Sequence, residues 1–90
     1  MINVLLNGCN GKMGQVITRL AENFDGLRIA AGADINNSIN NPYPVFTDIR
    51  ECNVKVDVII DFSSPKAFGG LIEFAQERKI PVIVCTTGLS

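Results

Sequence analysis

Ninety residues suffice for one domain or part of one, with a core large enough to fold but little surplus stability. A formal net charge of −1 gives no electrostatic case for nucleic acid or an anionic membrane. A hydrophobic content of 47% excludes extended disorder, and no apolar run is long enough to span a bilayer.

The chain opens on a strand, Ile2 to Leu6, apolar on nearly every residue, as suits a sheet covered on both faces. A glycine-rich turn follows, Gly8-Cys9-Asn10-Gly11-Lys12-Met13-Gly14. From Met13 the period becomes helical. Met13, Val16, Ile17, Leu20, Ala21 and Phe24 predict one buried stripe, ended by Asp25-Gly26. Leu27 to Ala33 predicts the next strand and leads to Asp34. These three elements form a βαβ unit, whose crossover is right-handed almost without exception.

Asn36 to Pro44 holds four Asn and two Pro and reads as a loop. Tyr43 to Thr47 predicts a short strand, and Asp48 to Cys52 one helical turn. Val58-Ile59-Ile60 is a strand leading to Asp61-Phe62-Ser63-Ser64-Pro65. Ser64 before Pro65 predicts a helix start, with a capping hydroxyl and a proline in the first turn. Ala67, Phe68, Leu71, Ile72 and Ala75 give its stripe, weakened by Gly69-Gly70. Ile80 to Val84 predicts the last strand, before Cys85-Thr86-Thr87-Gly88.

Alternating strands and helices predict an α/β fold: a Rossmann-type, doubly wound parallel sheet with helices on both faces. Ligands of such sheets bind beyond the C-terminal strand ends. Four segments lie there: Gly8–Gly14, Asp34, Asp61–Pro65 and Thr86–Gly88. Strand, glycine turn, helix start and downstream acid make the pattern of a dinucleotide site. The turn admits a pyrophosphate to the backbone, and the helix N-terminus offers unpaired N–H groups.

Asn10 stands where the usual G-x-G-x-x-G turn has its central glycine. Asn tolerates the left-handed conformation, so the turn remains possible. Asp34 lies 20 residues beyond Gly14, the spacing of a ribose-holding acid. No arginine adjoins it to receive a 2′-phosphate, which favours NADH and leaves NADPH possible. Lys12 is a candidate compensating cation. Asp61 reads as a buried carboxylate supporting its neighbours, without a catalytic role.

Cys9, Cys52 and Cys85 are odd in number and lack ligand-like spacing. They read as reduced, mostly buried side chains, not as a disulfide or metal framework. The chain has no histidine, and hence no obvious activator for a cysteine nucleophile. Met1-Ile2-Asn3 lacks a basic signal start, so the expected compartment is the cytoplasm.

Three segments together resemble the N-terminal domain of the dihydrodipicolinate reductase family of bacterial diaminopimelate and lysine synthesis. They are Gly8-Cys9-Asn10-Gly11-Lys12-Met13-Gly14, Val58-Ile59-Ile60-Asp61-Phe62-Ser63-Ser64-Pro65 and Thr86-Thr87-Gly88. The resemblance covers the whole chain. It implies that Gly8, Cys9, Asn10, Gly11, Lys12 and Met13 contact a pyrophosphate and that Asp34 takes the adenosine ribose. Phe62 and Ser63 would line the cofactor cleft. Cys85, Thr86, Thr87 and Gly88 would approach the nicotinamide, although Cys85 stands where the family usually has a smaller residue.

The family reduces a cyclic imine-type dicarboxylate with NAD(P)H, and its members often accept both cofactors. Its second domain carries adjacent histidines, a lysine and a PSGT-like segment, and supplies most contacts of a homotetramer. None of these segments occurs in the chain. The resemblance therefore implies a partial N-terminal dinucleotide-binding domain over residues 1–90, lacking the later strands and the C-terminal substrate domain. Such a piece is expected to bind cofactor without catalysing. Two other readings remain open on the residues alone. One is a non-catalytic nucleotide- or CoA-binding Rossmann module, the other an α/β piece used only for assembly.

Overall fold

The computed structural model describes residues 1–36, 39–62 and 68–85. Strand β1 spans Ile2–Asn7, helix α1 Lys12–Ala21, strand β2 Leu27–Ala33 and strand β3 Val45–Phe46. A 3-10 turn, Ile49–Glu51, leads to strand β4, Val58–Asp61. Helix α2, Phe68–Arg78, and strand β5, Val82–Val84, complete the described elements. All pairings are parallel, in the order β3-β2-β1-β4-β5. The order reverses at β1, so its C-terminal end is the switch point of a doubly wound sheet.

Side chains of β1 alternate between two cores. Leu5 joins Ala31, Ala33, Ile59, Ile49 of the 3-10 turn and Leu71, Phe74 and Ala75 of α2. Leu6 joins Cys9 and Tyr43 on the other face, packed by Ile17 of α1, Ile29 and Ile60. Both faces are thus covered, as the apolar reading of β1 required. The 3-10 turn is capped by Asp48, whose side chain accepts from the Arg50 N–H. Helix α2 closes through Lys79, in the left-handed conformation at φ 57°, with the Ile80 N–H donating to the Ala75 carbonyl.

Two helices differ from their sequence patterns. Helix α1 ends at Ala21, short of Asp25-Gly26, and its buried residues are Gly14 and Thr18. The expected stripe is largely solvent-facing: Met13 is 45% exposed, Val16 41%, Leu20 58% and Phe24 66%. Of that stripe only Ile17 is packed against the core. The cause is Gly14. Its Cα lies so close to the preceding turn that an added Cβ would stand 2.5 Å from the carbonyl oxygens of Gly8 and Cys9. That approach sets the rotation of α1 and leaves the larger apolar side chains outside.

Among the described side chains of α2, Leu71, Phe74 and Ala75 are buried, and Phe74 lies outside the stripe that the pattern predicts. The expected strand at Tyr43 to Thr47 is only Val45–Phe46, and that at Ile80 to Val84 only Val82–Val84. Ile83 and Val84 are exposed, and β5 pairs with β4 alone among the described strands. The cap at Ser64-Pro65 and the stripe position Ala67 lie outside the described residues.

Candidate functional site

Strand register builds the site. Asn7 pairs with Ala33 on one side and Asp61 on the other, and Asp61 pairs with Val84. Four strands therefore end level. The next residues, in spatial order Asp34, Gly8, Phe62 and Cys85, stand along one rim. Backbone hydrogen bonds carry the row past the sheet. The Gly8 N–H donates to Ala33 O at 2.7 Å, the Phe62 N–H to Asn7 O at 2.9 Å and the Cys85 N–H to Asp61 O at 2.8 Å.

Beneath the rim, Asn7 Nδ2 donates to Asp61 Oδ1 at 3.1 Å, with both residues buried. The pair ties β1 to β4 where their loops begin, the supporting place expected for Asp61. A shallow hollow bounded by Thr18, Glu22, Arg28 and Tyr43 lies at the opposite end of α1, away from this rim.

The turn after β1 is closed by Gly8, at φ 83°, and by the Gly11 N–H donating to Gly8 O at 3.2 Å. Asn10 has no positive φ, so its tolerance of the left-handed region is not what keeps the turn intact. Gly11 is the N-cap of α1, in extended conformation at φ −76° and ψ 173°, and no side chain caps the helix. A Cβ on Gly11 would meet only Gly8 O, at the ordinary distance of 3.5 Å. Neither backbone nor packing demands glycine there. The open space above it and the uncapped N–H groups suit a close-lying anion such as a pyrophosphate.

Asp34 is half-buried beside this turn. Its Oδ2 accepts the Asn10 N–H at 2.9 Å and its Oδ1 the Asn36 N–H at 2.9 Å. Each carboxylate oxygen has two lone-pair sites, so acceptor capacity remains for ribose hydroxyls. Lys12 and Met13 are exposed in the first turn of α1, and Phe62 is partly buried against the Leu6 core. Ser63, Thr86, Thr87 and Gly88 lie outside the described residues.

Cys9 is fully buried in the core with Leu6 and Tyr43, as the reading of the cysteines expected, and its side chain supports the turn from below. Cys52 is buried and Cys85 partly so, and all three thiols are free. Sequence reasoning overlooked Gln15, Asn36 and Asn41, whose side chains or backbone bond to the turn. The density of Asn after Asp34 was a signal of this, read only as a loop.

Burial, helped by the Asp34 charge, pushes the Cys9 thiol from its ordinary 9.0 up to about 11. Burial likewise raises the Tyr43 phenol from 10.0 to about 12. Both groups favour the fold while protonated. Their stabilisation is full below their ordinary values and is lost as pH rises through the raised ones. Thermal melts between pH 7 and pH 12 should show a plateau to about pH 9 and then a progressive fall. A melting temperature unchanged through pH 12 would contradict the burial of both groups.

Among the described residues, no group of His, Cys, Asp or Glu is arranged to hold a metal, and no helix is long and apolar enough to cross a membrane. Over residues 2–90 the sequence matches the family model described as dihydrodipicolinate reductase, N-terminus. It is similar to 4-hydroxy-tetrahydrodipicolinate reductase of Clostridium novyi (strain NT), 44% identical over 90 residues, covering 100% of this chain and 36% of that protein. Identity to the protein of that name from Clostridium perfringens (strain ATCC 13124) is 48% over 89 residues, covering 98% of this chain and 35% of the relative. The chain thus spans about a third of the length of these relatives. In three dimensions it resembles a dipicolinate-bound dihydrodipicolinate reductase from Paenisporosarcina sp. TG-14, with a TM-score of 0.82. That match has 22% identity and covers 100% of this chain and 39% of the other, and it bears on the fold alone.

Proposed function

This chain belongs to the dihydrodipicolinate reductase family, whose N-terminal model it matches, and we propose that it is the dinucleotide-holding part of such a reductase. The observation that carries this reading is the level rim at the switch point. There the uncapped N-terminus of α1, the open space over Gly11 and the carboxylate of Asp34 adjoin.

In this reading Gly8, Gly11, Lys12 and Met13 hold the pyrophosphate, with the buried Cys9 and Asn10 supporting them from below. Asp34 accepts from the adenosine ribose. Phe62 and Ser63 line the cleft, and Cys85, Thr86, Thr87 and Gly88 approach the nicotinamide. The cofactor supplies the hydride when bound, and this part of the protein positions it. The acceptor is a cyclic dicarboxylate, held with the help of a second domain in a cytoplasmic homotetramer. The 90 residues bind cofactor without catalysing. NADH is preferred, because a 2′-phosphate would face the Asp34 carboxylate, and the residue after Asp34 is the exposed Ile35 in place of an arginine.

Parallel titrations of NADH, NADPH and coenzyme A into the chain, with circular dichroism to confirm folding, test this reading. Saturable binding with NADH tightest is the expected result. A folded chain that takes coenzyme A and neither dinucleotide would overturn it.

A further inference from the structure

Asn10 is the centre of two closed rings of hydrogen bonds. In the first, its N–H donates to Asp34 Oδ2 at 2.9 Å, the Asn36 N–H donates to Asp34 Oδ1 at 2.9 Å, and Asn10 Nδ2 donates to the Asn36 carbonyl. In the second, Asn41 Nδ2 donates to Asn10 Oδ1 at 2.7 Å. Gln15 Nε2 then donates to Asn41 Oδ1 at 3.1 Å and to the Cys9 carbonyl at 2.9 Å, returning to the turn. The Cys9 thiol also lies 3.7 Å from Asn10 Oδ1.

None of these side-chain bonds is needed to form the turn, which the Gly8 and Gly11 N–H groups close through backbone acceptors. A glycine at position 10 would leave the turn whole and keep the backbone N–H bond to Asp34, but it would open both rings by removing the links to Asn36 and Asn41. With Asn10 in place, three amide side chains and one carboxylate fix each other beside the helix N-terminus. Asn10 itself is buried. Networks of this kind make an arrangement rigid, and a rigid site loses less entropy on binding.

We propose that Asn10 is a positioning residue that pins the chain at Asn36 and Asn41 to the phosphate turn and so presets the Asp34 carboxylate for the adenosine ribose. The proposal rests on the dinucleotide reading above. The ligand half it concerns is the adenosine, not the nicotinamide.

The test is a double-mutant cycle of Asn10→Gly and Asn41→Ala in the full 90-residue chain. Titrations with NADH and with ADP-ribose, which lacks the nicotinamide, are read alongside nitrogen-15 spectra of the side-chain amides. Each single variant should weaken both ligands about tenfold, and the double variant no further, because both break one network. The Gln15 side-chain amide signal should move in both single variants without ligand. Singles that bind both ligands like the wild type would overturn the positioning role alone, as would penalties that simply multiply. A loss for NADH without one for ADP-ribose would also overturn it. A wild-type chain that takes neither ligand would overturn the dinucleotide reading itself, and the positioning role with it.

Discussion

Gly14→Ala should cost the chain a large share of its stability, whereas Gly11→Ala should leave the fold intact and remove the ligand. The two glycines are three residues apart in one turn and are glycine for different reasons. At Gly14 a methyl group would sit 2.5 Å from two backbone carbonyl oxygens, and neither can swing away as a side-chain tip could. Overpacking against a fixed neighbour costs about 1–3 kcal/mol, and two backbone contacts put this variant at or above the top of that range. A domain of this size has roughly 5–10 kcal/mol in total. The melting temperature should fall by about 15 °C or more, at 4–8 °C per kcal/mol. Relief would require α1 to move off the turn, so any ligand site at its N-terminus would be lost too.

At Gly11 the backbone is already extended and a methyl group has room. The stability change should stay within about 1 kcal/mol, the scale of an N-cap replacement. The same methyl group would occupy the space a pyrophosphate needs, weakening NADH by about ten- to hundredfold. Thermal melts and NADH titrations of the two variants separate these effects. An Ala at Gly11 that binds NADH like the wild type would place the phosphate elsewhere. An Ala at Gly14 that melts like the wild type would mean that α1 does not lie against the turn.

The same close approach explains where the sequence misled. Strands β1, β2 and β4 were legible because central strands of a covered parallel sheet are apolar on nearly every residue. No neighbour need be known to see that. The rotation of α1 was not legible. Met13, Val16, Leu20 and Phe24 outweigh Thr18 on any hydrophobicity scale, yet it is Thr18 that is buried. Its hydroxyl is satisfied by the Gly14 carbonyl at 2.9 Å and shares a 2.6 Å hydrogen bond with the Tyr43 hydroxyl. A helix that must bring a glycine against a turn buries small residues beside it, and periodicity alone does not weigh that constraint.

The candidate site divides in the same way. The meeting of Gly8, Gly11 and Asp34 on one rim was legible because a glycine turn after one strand and an acid after the next have fixed spacing. The amide rings were not. Asn10 meets Asn36 and Asn41 across 26 and 31 residues, and no local pattern reports which asparagine will face which.

Asp34→Ala should collapse the preference between the two dinucleotides more than it affects the fold. In the wild type the carboxylate would accept from ribose hydroxyls, and a hydrogen bond to a charged group contributes about 1.5–3 kcal/mol. Its loss should weaken NADH by about ten- to hundredfold. NADPH gains from the same change what it loses, because its 2′-phosphate no longer faces a negative charge. Two unit charges about 4 Å apart near a protein surface repel by up to about 4 kcal/mol. NADPH should therefore bind about as well as before, and the ratio of the two dissociation constants should approach unity or invert.

The fold pays a smaller penalty. The N–H groups of Asn10 and Asn36 lose their acceptor, but Asp34 is only half-buried and water can replace it, at about 1 kcal/mol. Asp34→Asn separates the two roles, since it keeps an acceptor oxygen and removes the charge. It should relieve the 2′-phosphate nearly as well as Ala while holding one of the two N–H groups. Titrations of both nucleotides into both variants, with melts alongside, measure all of this. Should NADH bind equally well to the wild type and to a folded Asp34→Ala chain, the carboxylate would be a brace between the phosphate turn and the chain after β2. The ribose would then be held by another group, and the proposed preference for NADH would have lost its physical cause.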